Sequence, residues 1–525
     1  MAEKQDKNKT AVSRRSLLKG LATTPILGVL TFDFYRKRTM AKVKNEAIRA
    51  ELGLQEKAPT INVHTGKSAS GDVIRLGLIG NGSRCKGALL RSLGLVTPEW
   101  IKKRSKNPND RRLQSFYNSD NLNIQITGIC DVFDLHAEQV MNTITKSVTP
   151  WGETERPYKT KRYRTYQEML ESDEIDAVII ATPDFHHSQM TIDAVEAGKH
   201  VYCEKSLTRV EDEVYRVYNA VKNSNMVFQL GHQNRQNESF KKAKELVANG
   251  VLGKVTLIET TTNRNTSGGA WVRHLDGNGN PKPGSPETID WQQWLGSRPR
   301  VPFSIDRFYN WTKWFDYGTG LTGQLFSHEY DAVNQVLGMG IPKSVVASGG
   351  IYFHKDNREI PDIFHIVAEY PDDELTLLYS ASLASSNSRG RRFLGHDATM
   401  NLGGTLSITI DRNSTQYEMK LDEGLLESDE PLYKFPQISN NFDAVSSASE
   451  KYFAERGLVY TQRNGKAVDV THLHIKEWLE AIRGNGETSC NIDIAFEENV
   501  TCQMANKSYL EKRRVEWDPV KRRII

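Results

Sequence analysis

The run Val73-Ile74-Arg75-Leu76-Gly77-Leu78-Ile79-Gly80-Asn81-Gly82-Ser83-Arg84-Cys85-Lys86-Gly87 constrains this chain most. An apolar strand enters a glycine-rich turn, and the turn opens a helix. Gly80 permits the tight turn, Gly82 lets the backbone approach a bound phosphate, Ser83 and Arg84 are further cofactor-binding candidates, and the helix is expected from Cys85 to about Leu93. Unsatisfied N–H groups and the partial positive charge of the helix N-terminus suit a dinucleotide pyrophosphate.

The periodicity that follows supports a parallel sheet. Strands are expected at Val73–Ile79, Ile124–Cys130, Ala177–Ala181, His200–Cys203 and Val227–Leu230, with helices between them, which is the pattern of βαβ units. A polar, basic insertion, Thr97–Asn121, separates the first helix from the second strand. Beyond residue 250 the pattern changes to alternating strands: Lys254–Thr262, Ser344–Tyr352, His365–Tyr370, Leu375–Ser380, Ala398–Ile410 and Gln416–Leu421. Such alternation fits an antiparallel sheet with one wet face. A Trp-, Gly- and Pro-rich excursion, about 264–320, interrupts it, and helices close the chain at Thr471–Arg483 and Phe496–Glu511. The expected fold is an α/β Rossmann domain, doubly wound, followed by an α+β domain with a large, mainly antiparallel open sheet. The expected boundaries are 1–38 for a signal, 39–71 for an arm and linker, 72–233 for the nucleotide domain, 234–470 for the substrate domain and 471–525 for the terminal helices and tail.

The N-terminus carries Ser13-Arg14-Arg15-Ser16-Leu17-Leu18-Lys19 ahead of the apolar run Leu21–Phe32. Basic then apolar is the order of an export signal, and this one is close to the twin-arginine pattern, so a periplasmic or otherwise exported protein is expected. No small-x-small cleavage site follows, which also admits a retained N-terminal membrane anchor. The net charge of +4 over 525 residues gives no nucleic-acid footprint. The five cysteines have no C-x-x-C spacing, and an odd count argues against a disulfide framework. Buried small hydrophobes describe them better.

Three strand ends carry the chemistry. Asp131 ends the second strand, where a carboxylate accepts the adenosine ribose hydroxyls and repels a 2′-phosphate, favouring NAD over NADP. Its offset from the turn exceeds the usual ~20 residues because of the insertion. Ala181-Thr182-Pro183-Asp184-Phe185-His186-His187 ends the next strand. Adjacent histidines do not converge on one ion and no third ligand is near, so no metal is expected. Thr182, Pro183 and His187 are placed at the nicotinamide side or in a helix cap. Glu204 and Lys205 follow a further strand. A lysine facing a cofactor crevice can transfer protons once desolvation and the cationic nicotinamide lower its pKa.

With these residues, Trp291-x-x-Trp294-Leu295-Gly296, Arg307-Phe308-x-x-Trp311 and Gly320-x-x-Gly323-Gln324-x-x-x-His328-x-x-Asp331, the chain resembles the Gfo/Idh/MocA oxidoreductases, in particular exported members from Bacteroidetes-type bacteria. The resemblance spans roughly residues 73–520. It implies that Lys205 and His328 flank a substrate hydroxyl, with Gln324 and Asp331 on the same helical face as His328. Arg235 reads equally as a substrate contact and as a domain-interface hydrogen bonder, and Trp311 belongs to an aromatic cluster that could stack on sugar. Two positions depart from the family pattern. Ser206 replaces a proline whose bond is commonly cis, and a non-proline cis bond costs roughly 2.5–4 kcal/mol. Gln324 replaces an aspartate. The expected protein is an NAD-dependent oxidoreductase acting on a secondary hydroxyl of a sugar or glycoside, with tightly held cofactor and a homo-oligomeric state. Alternatives are an NAD-dependent glycosidase or epimerase with internal redox cycling, and a non-catalytic sugar-binding member of the fold.

Overall fold

In the computed structural model, six strands build the first sheet: β1 (Ile74–Ile79), β2 (Ile124–Cys130), β3 (Lys161–Tyr163), β4 (Ala177–Ile180), β5 (His200–Cys203) and β6 (Phe228–Leu230). They run parallel in the order β3-β2-β1-β4-β5-β6. The order reverses between β1 and β4, and ligand crevices open at the carboxyl ends of such a switch point. The structure describes residues 72–152, 158–266, 272–276, 278–423, 426, 428, 431–435, 460–463 and 466–525. The export motif and the arm lie outside these residues.

All four residues of β4 are buried, as a strand covered by helices on both faces requires. The covering helices include α1 (Asp134–Lys146), α2 (Asp184–Glu196) and α3 (Glu211–Asn223). α4 (Glu238–Ala248) and α5 (Ser327–Leu337) belong to the second half of the chain, as do α6 (Val470–Ile482) and α7 (Ile492–Glu511). α6 returns to the first sheet and brings Ile475, Trp478 and Leu479 into the cluster around Leu76, Ile126 and Tyr202. Trp478 is fully buried; covering about 200 Å² of its surface is worth roughly 5 kcal/mol before entropy is counted.

The second sheet contains β7 (Val255–Asn263), β8 (Ser344–Gly350), β9 (Ile363–Tyr370), β10 (Leu375–Ser382), β11 (Arg391–Gly395), β12 (Ala398–Leu402), β13 (Leu406–Ile410) and β14 (Pro431–Phe435). After a two-stranded ribbon, β15 (Tyr460–Arg463) and β16 (Lys466–Asp469), the chain adds β17 (Val515–Asp518) and β18 (Arg523–Ile524). The order is β14-β13-β12-β11-β7-β10-β9-β8-β17-β18. All neighbours are antiparallel except β7 and β10. β9 shows the alternation that selects a one-faced sheet: Phe364, Ile366, Ala368 and Tyr370 are buried while His365 and Val367 face outward. The buried face packs on α4, α5 and α7.

Three local expectations change. Ala398–Ile410 is a hairpin, β12 and β13, turning at Gly403-Gly404. Gln416–Leu421 is not a strand: Glu418–Asp422 is a short helix. Its apparent alternation has one real anchor, the buried Tyr417, whose hydroxyl donates to the Val251 carbonyl at 2.9 Å, whereas Met419 is 73% exposed. The basic insertion folds as two helices, Pro98–Arg104 and Arg111–Tyr117, capped by Thr97 and Asp110. Asp110 also pairs with Arg104 at 3.0 Å and Arg112 at 2.9 Å, so part of the basic run is internal. All five cysteines are buried and unpaired, as expected.

Candidate active site

A cavity of about 1000 Å³ lies at the switch point, and both halves of the chain line it. At one end is the glycine turn. Gly80 has φ +84°, and a Cβ there would lie 2.8 Å from the backbone of Ala181 and Thr182. Only glycine fits that approach. Gly82, Ser83 and Arg84 line the cavity, and a π-turn over Cys85–Leu89 begins the helix. Asp131 accepts the backbone N–H of Asn81 at 2.5 Å and that of Phe133 at 2.8 Å, so the acid fixes the turn it serves. Burial pushes its pKa up to about 6. Arg84 Nε donates to Glu204 at 2.8 Å, while Arg84 Nη2 is buried without a partner among the described residues. A tight turn, an unengaged guanidinium nitrogen and a carboxylate at the ribose position fit a bound dinucleotide.

At the other end is Lys205. The Lys205–Ser206 peptide is cis. The Lys205 ammonium donates to the carbonyls of Gln324, at 2.9 Å, and Gly323, at 3.3 Å. Both carbonyls belong to a second π-turn, Thr322–Phe326, which runs into α5. The contact depends on Gly323: a Cβ there would lie 2.0 Å from Thr319 Oγ1 and 2.2 Å from Ser206 Oγ. Burial lowers the Lys205 pKa to about 8, opposed by Asp184 and Glu204. His328 lines the same cavity. Burial, and then the charges of Lys205, His232 and Arg264, hold its pKa well below the usual imidazole value. At neutral pH the pair is therefore a neutral imidazole beside an amine that readily exchanges its proton. This matches a proton acceptor with a hydrogen-bonding companion.

The structure places three expected contacts away from the cavity wall. His187 is buried behind it, with Nδ1 2.6 Å from the Ser206 carbonyl and Nε2 2.8 Å from the Thr182 carbonyl. Desolvation opposes its charge, but Cys203, Asp184 and the Ser206 carbonyl push its pKa up to about 9. As an imidazolium it donates to both carbonyls and braces the two loops that carry Thr182 and Lys205. Arg235 and Asp331 do not line the cavity either. They pair with each other at 2.7 Å, both buried, and Arg235 also donates to the Ser489 carbonyl at 2.8 Å. Their charges satisfy one another at the junction of the two halves. Thr182, Pro183, Glu204, Gln324 and Trp311 do line the cavity.

Several lining residues carry no motif. Asp184, the first residue of α2, accepts Thr319 N at 3.2 Å, Thr319 Oγ1 at 2.8 Å and Gln324 Nε2 at 2.5 Å. A carboxylate thus stands next to Gln324 although the chain lacks one at position 324. The only sequence signal was an acid at the strand end, overshadowed by the two histidines after it. Behind the wall, His232 is held by Glu498 and lies edge-on to His328, ring centroids 5.3 Å apart. Arg264 and Arg273, from the excursion, and Thr471, from α6, complete the wall. Among the described residues no group of three His, Cys, Asp or Glu is arranged to hold a metal ion.

Residues 107–232 match the family model GFO_IDH_MocA, described as an oxidoreductase family with an NAD-binding Rossmann fold. Residues 236–346 match its companion, a C-terminal alpha/beta domain. Levoglucosan dehydrogenase from Pseudarthrobacter phenanthrenivorans is 28% identical over 195 residues, covering 35% of this chain and 41% of that protein. The scyllo-inositol 2-dehydrogenase (NADP(+)) IolW from Bacillus subtilis is 24% identical over 234 residues, covering 44% and 53% respectively. The chain therefore spans about half the length of these curated relatives or less. The fold of a levoglucosan dehydrogenase in complex with NADH and L-sorbose superposes with a TM-score of 0.56 at 15% identity, over 85% of this chain and 100% of that one.

Proposed function

This chain belongs to the Gfo/Idh/MocA oxidoreductase family, and on that premise we propose that it moves a hydride between a secondary hydroxyl of a sugar or glycoside and bound NAD. The observation that carries this reading is Lys205, with its pKa near 8, in the same cavity as the glycine turn and beside neutral His328. NAD, when bound, supplies the hydride acceptor or donor at its nicotinamide C4. Gly80, Gly82, Ser83 and Arg84 would hold the pyrophosphate, and Asp131 the ribose hydroxyls. In the oxidative direction Lys205 Nζ takes the carbinol proton. His328 hydrogen-bonds the same oxygen and sets its direction, because taking a proton beside Lys205 and Arg264 is unfavourable. Gln324, held by Asp184, fixes the carbonyl that orients Lys205.

The way the excursion is fastened supports a tightly held cofactor. The Asp134 N–H donates to the Thr288 carbonyl at 3.1 Å, and the Asp290 N–H to the Val132 carbonyl at 2.8 Å. Phe133 packs edge-on against Phe308 at 5.7 Å. These contacts strap the excursion across the strand end that carries Asp131. The Arg14-Arg15 motif supports twin-arginine export to the periplasm, a route on which a folded protein would travel with its cofactor already seated.

Native mass spectrometry of the purified protein should find a bound nucleotide of NAD mass. A panel of sugars should then change the reduced-nicotinamide absorbance of the holoprotein. A protein that lacks nucleotide, together with a Lys205→Met variant that turns over sugars at the wild-type rate, would sink the reading.

A further inference from the structure

The cavity wall is strongly cationic. Arg84, Arg91, Lys205, Arg264, Arg273, Lys282 and Arg300 line it, against the carboxylates Asp131, Asp184 and Glu204. Some of these charges are already matched: Arg84 by Glu204 at 2.8 Å and Arg91 by Asp469 at 3.3 Å. Around Lys205 two further guanidinium groups, Arg264 and Arg273, act on each other. Arg264, 7% exposed, acts by its charge on Lys205, His328 and Arg273. The Arg273 side chain makes no hydrogen bond or ion pair among the described residues, and burial followed by Arg264 lowers its pKa to about 10. Asp184 also acts on Arg273 by its charge without forming an ion pair with it, and its Oδ2 is taken by Thr319 and Gln324. Glu204 is held by Arg84 and Gln233, and Glu498 by His232.

A partly buried guanidinium with no ion-pair partner is costly unless a ligand supplies one. Its planar fork matches a carboxylate or phosphate in two parallel hydrogen bonds. We infer that the substrate is an anionic sugar whose carboxylate or phosphate is gripped by Arg273, with Arg264 behind it, placing the reacting carbinol at Lys205. This inference rests on the oxidoreductase reading and adds the charge class of its substrate.

The test uses holoprotein with glucuronate, glucose 6-phosphate and glucose, scored by reduction of the bound cofactor. The wild type should favour one of the two anions over glucose by about 10- to 100-fold in kcat/KM. Which anion wins tells carboxylate from phosphate. Arg273→Gln should erase that preference, Arg273→Lys should restore part of it, and raised salt should increase the wild-type KM for the anion. Should Arg273→Gln fail to fold, Arg273→Lys and the salt series decide. Glucose used as well as both anions, or a preference unchanged in Arg273→Gln, overturns the anion site and leaves the oxidoreductase reading standing. If no sugar reduces the cofactor, the oxidoreductase reading falls. The anion site is then judged by intrinsic tryptophan fluorescence: a saturable response to glucuronate or glucose 6-phosphate, lost in Arg273→Gln, supports it, and no response overturns it.

Discussion

Lys205 Nζ sits 2.9 Å from the Gln324 carbonyl oxygen, so a side chain from the first sheet is anchored on backbone from the second half of the chain. Neither half alone would present the lysine. Its lowered pKa depends on burial, and that burial exists only where the two halves meet.

The lysine should therefore set the pH dependence. In the proposed reaction its neutral form accepts the proton, and its folded pKa near 8 lies below the usual lysine value. For sugar oxidation, kcat/KM should rise with pH and level off above about 8; below that it should fall about tenfold per unit. The reverse reaction needs the protonated amine and should decline above the same pH. Lys205→Met should cut kcat by roughly 10²- to 10⁴-fold while nucleotide remains bound. Stopped-flow absorbance in both directions measures each effect.

Asp131 makes a separate prediction about the cofactor. Its pKa near 6 means that it loses its charge in mildly acidic buffer. A protonated acid accepts ribose hydroxyls poorly, so affinity for NAD should fall as pH drops below about 6. Asp131→Asn should weaken NAD by about tenfold, and NADP by less, because the repulsion of a 2′-phosphate is removed. Titration calorimetry of cofactor-stripped protein with each nucleotide would show whether the ratio moves.

Gly323→Ala tests the close approach beneath the lysine. The added methyl would fall 2.0 Å from Thr319 Oγ1 and 2.2 Å from Ser206 Oγ. Overpacking of this kind costs about 1–3 kcal/mol. A lower melting temperature is expected, together with a displaced pH profile, since the π-turn carbonyls would leave Lys205. An unchanged profile would mean that the carbonyls do not position the amine.

Asp331→Asn should act on stability rather than on recognition. It strips the buried Arg235 of its carboxylate, and breaking such a pair costs about 3–5 kcal/mol. The denaturant midpoint should fall while KM for the sugar moves little. A large rise in KM with unchanged stability would return Asp331 to the substrate site.

Much of this protein is determined locally. Gly80, with its positive φ, and the wholly apolar β4 announce a parallel sheet and its phosphate turn, because strand burial and turn geometry are encoded within a few residues. The lysine after β5 is legible for the same reason: it follows a recognisable strand end. Family resemblance, rather than spacing, supplied His328. Tertiary structure decided what the charged residues do. Arg235 and Asp331 are 96 residues apart, and nothing local says that they neutralise each other and leave the cavity. Asp184 reaches Gln324 across 140 residues and supplies a carboxylate where the motif lacks one. His187 looked like a cofactor contact, yet it braces the carbonyls of Thr182 and Ser206 from behind. Backbone geometry follows from neighbours along the chain, whereas the role of a charge depends on its partner and its dielectric surroundings, and both are fixed only when the two sheets pack.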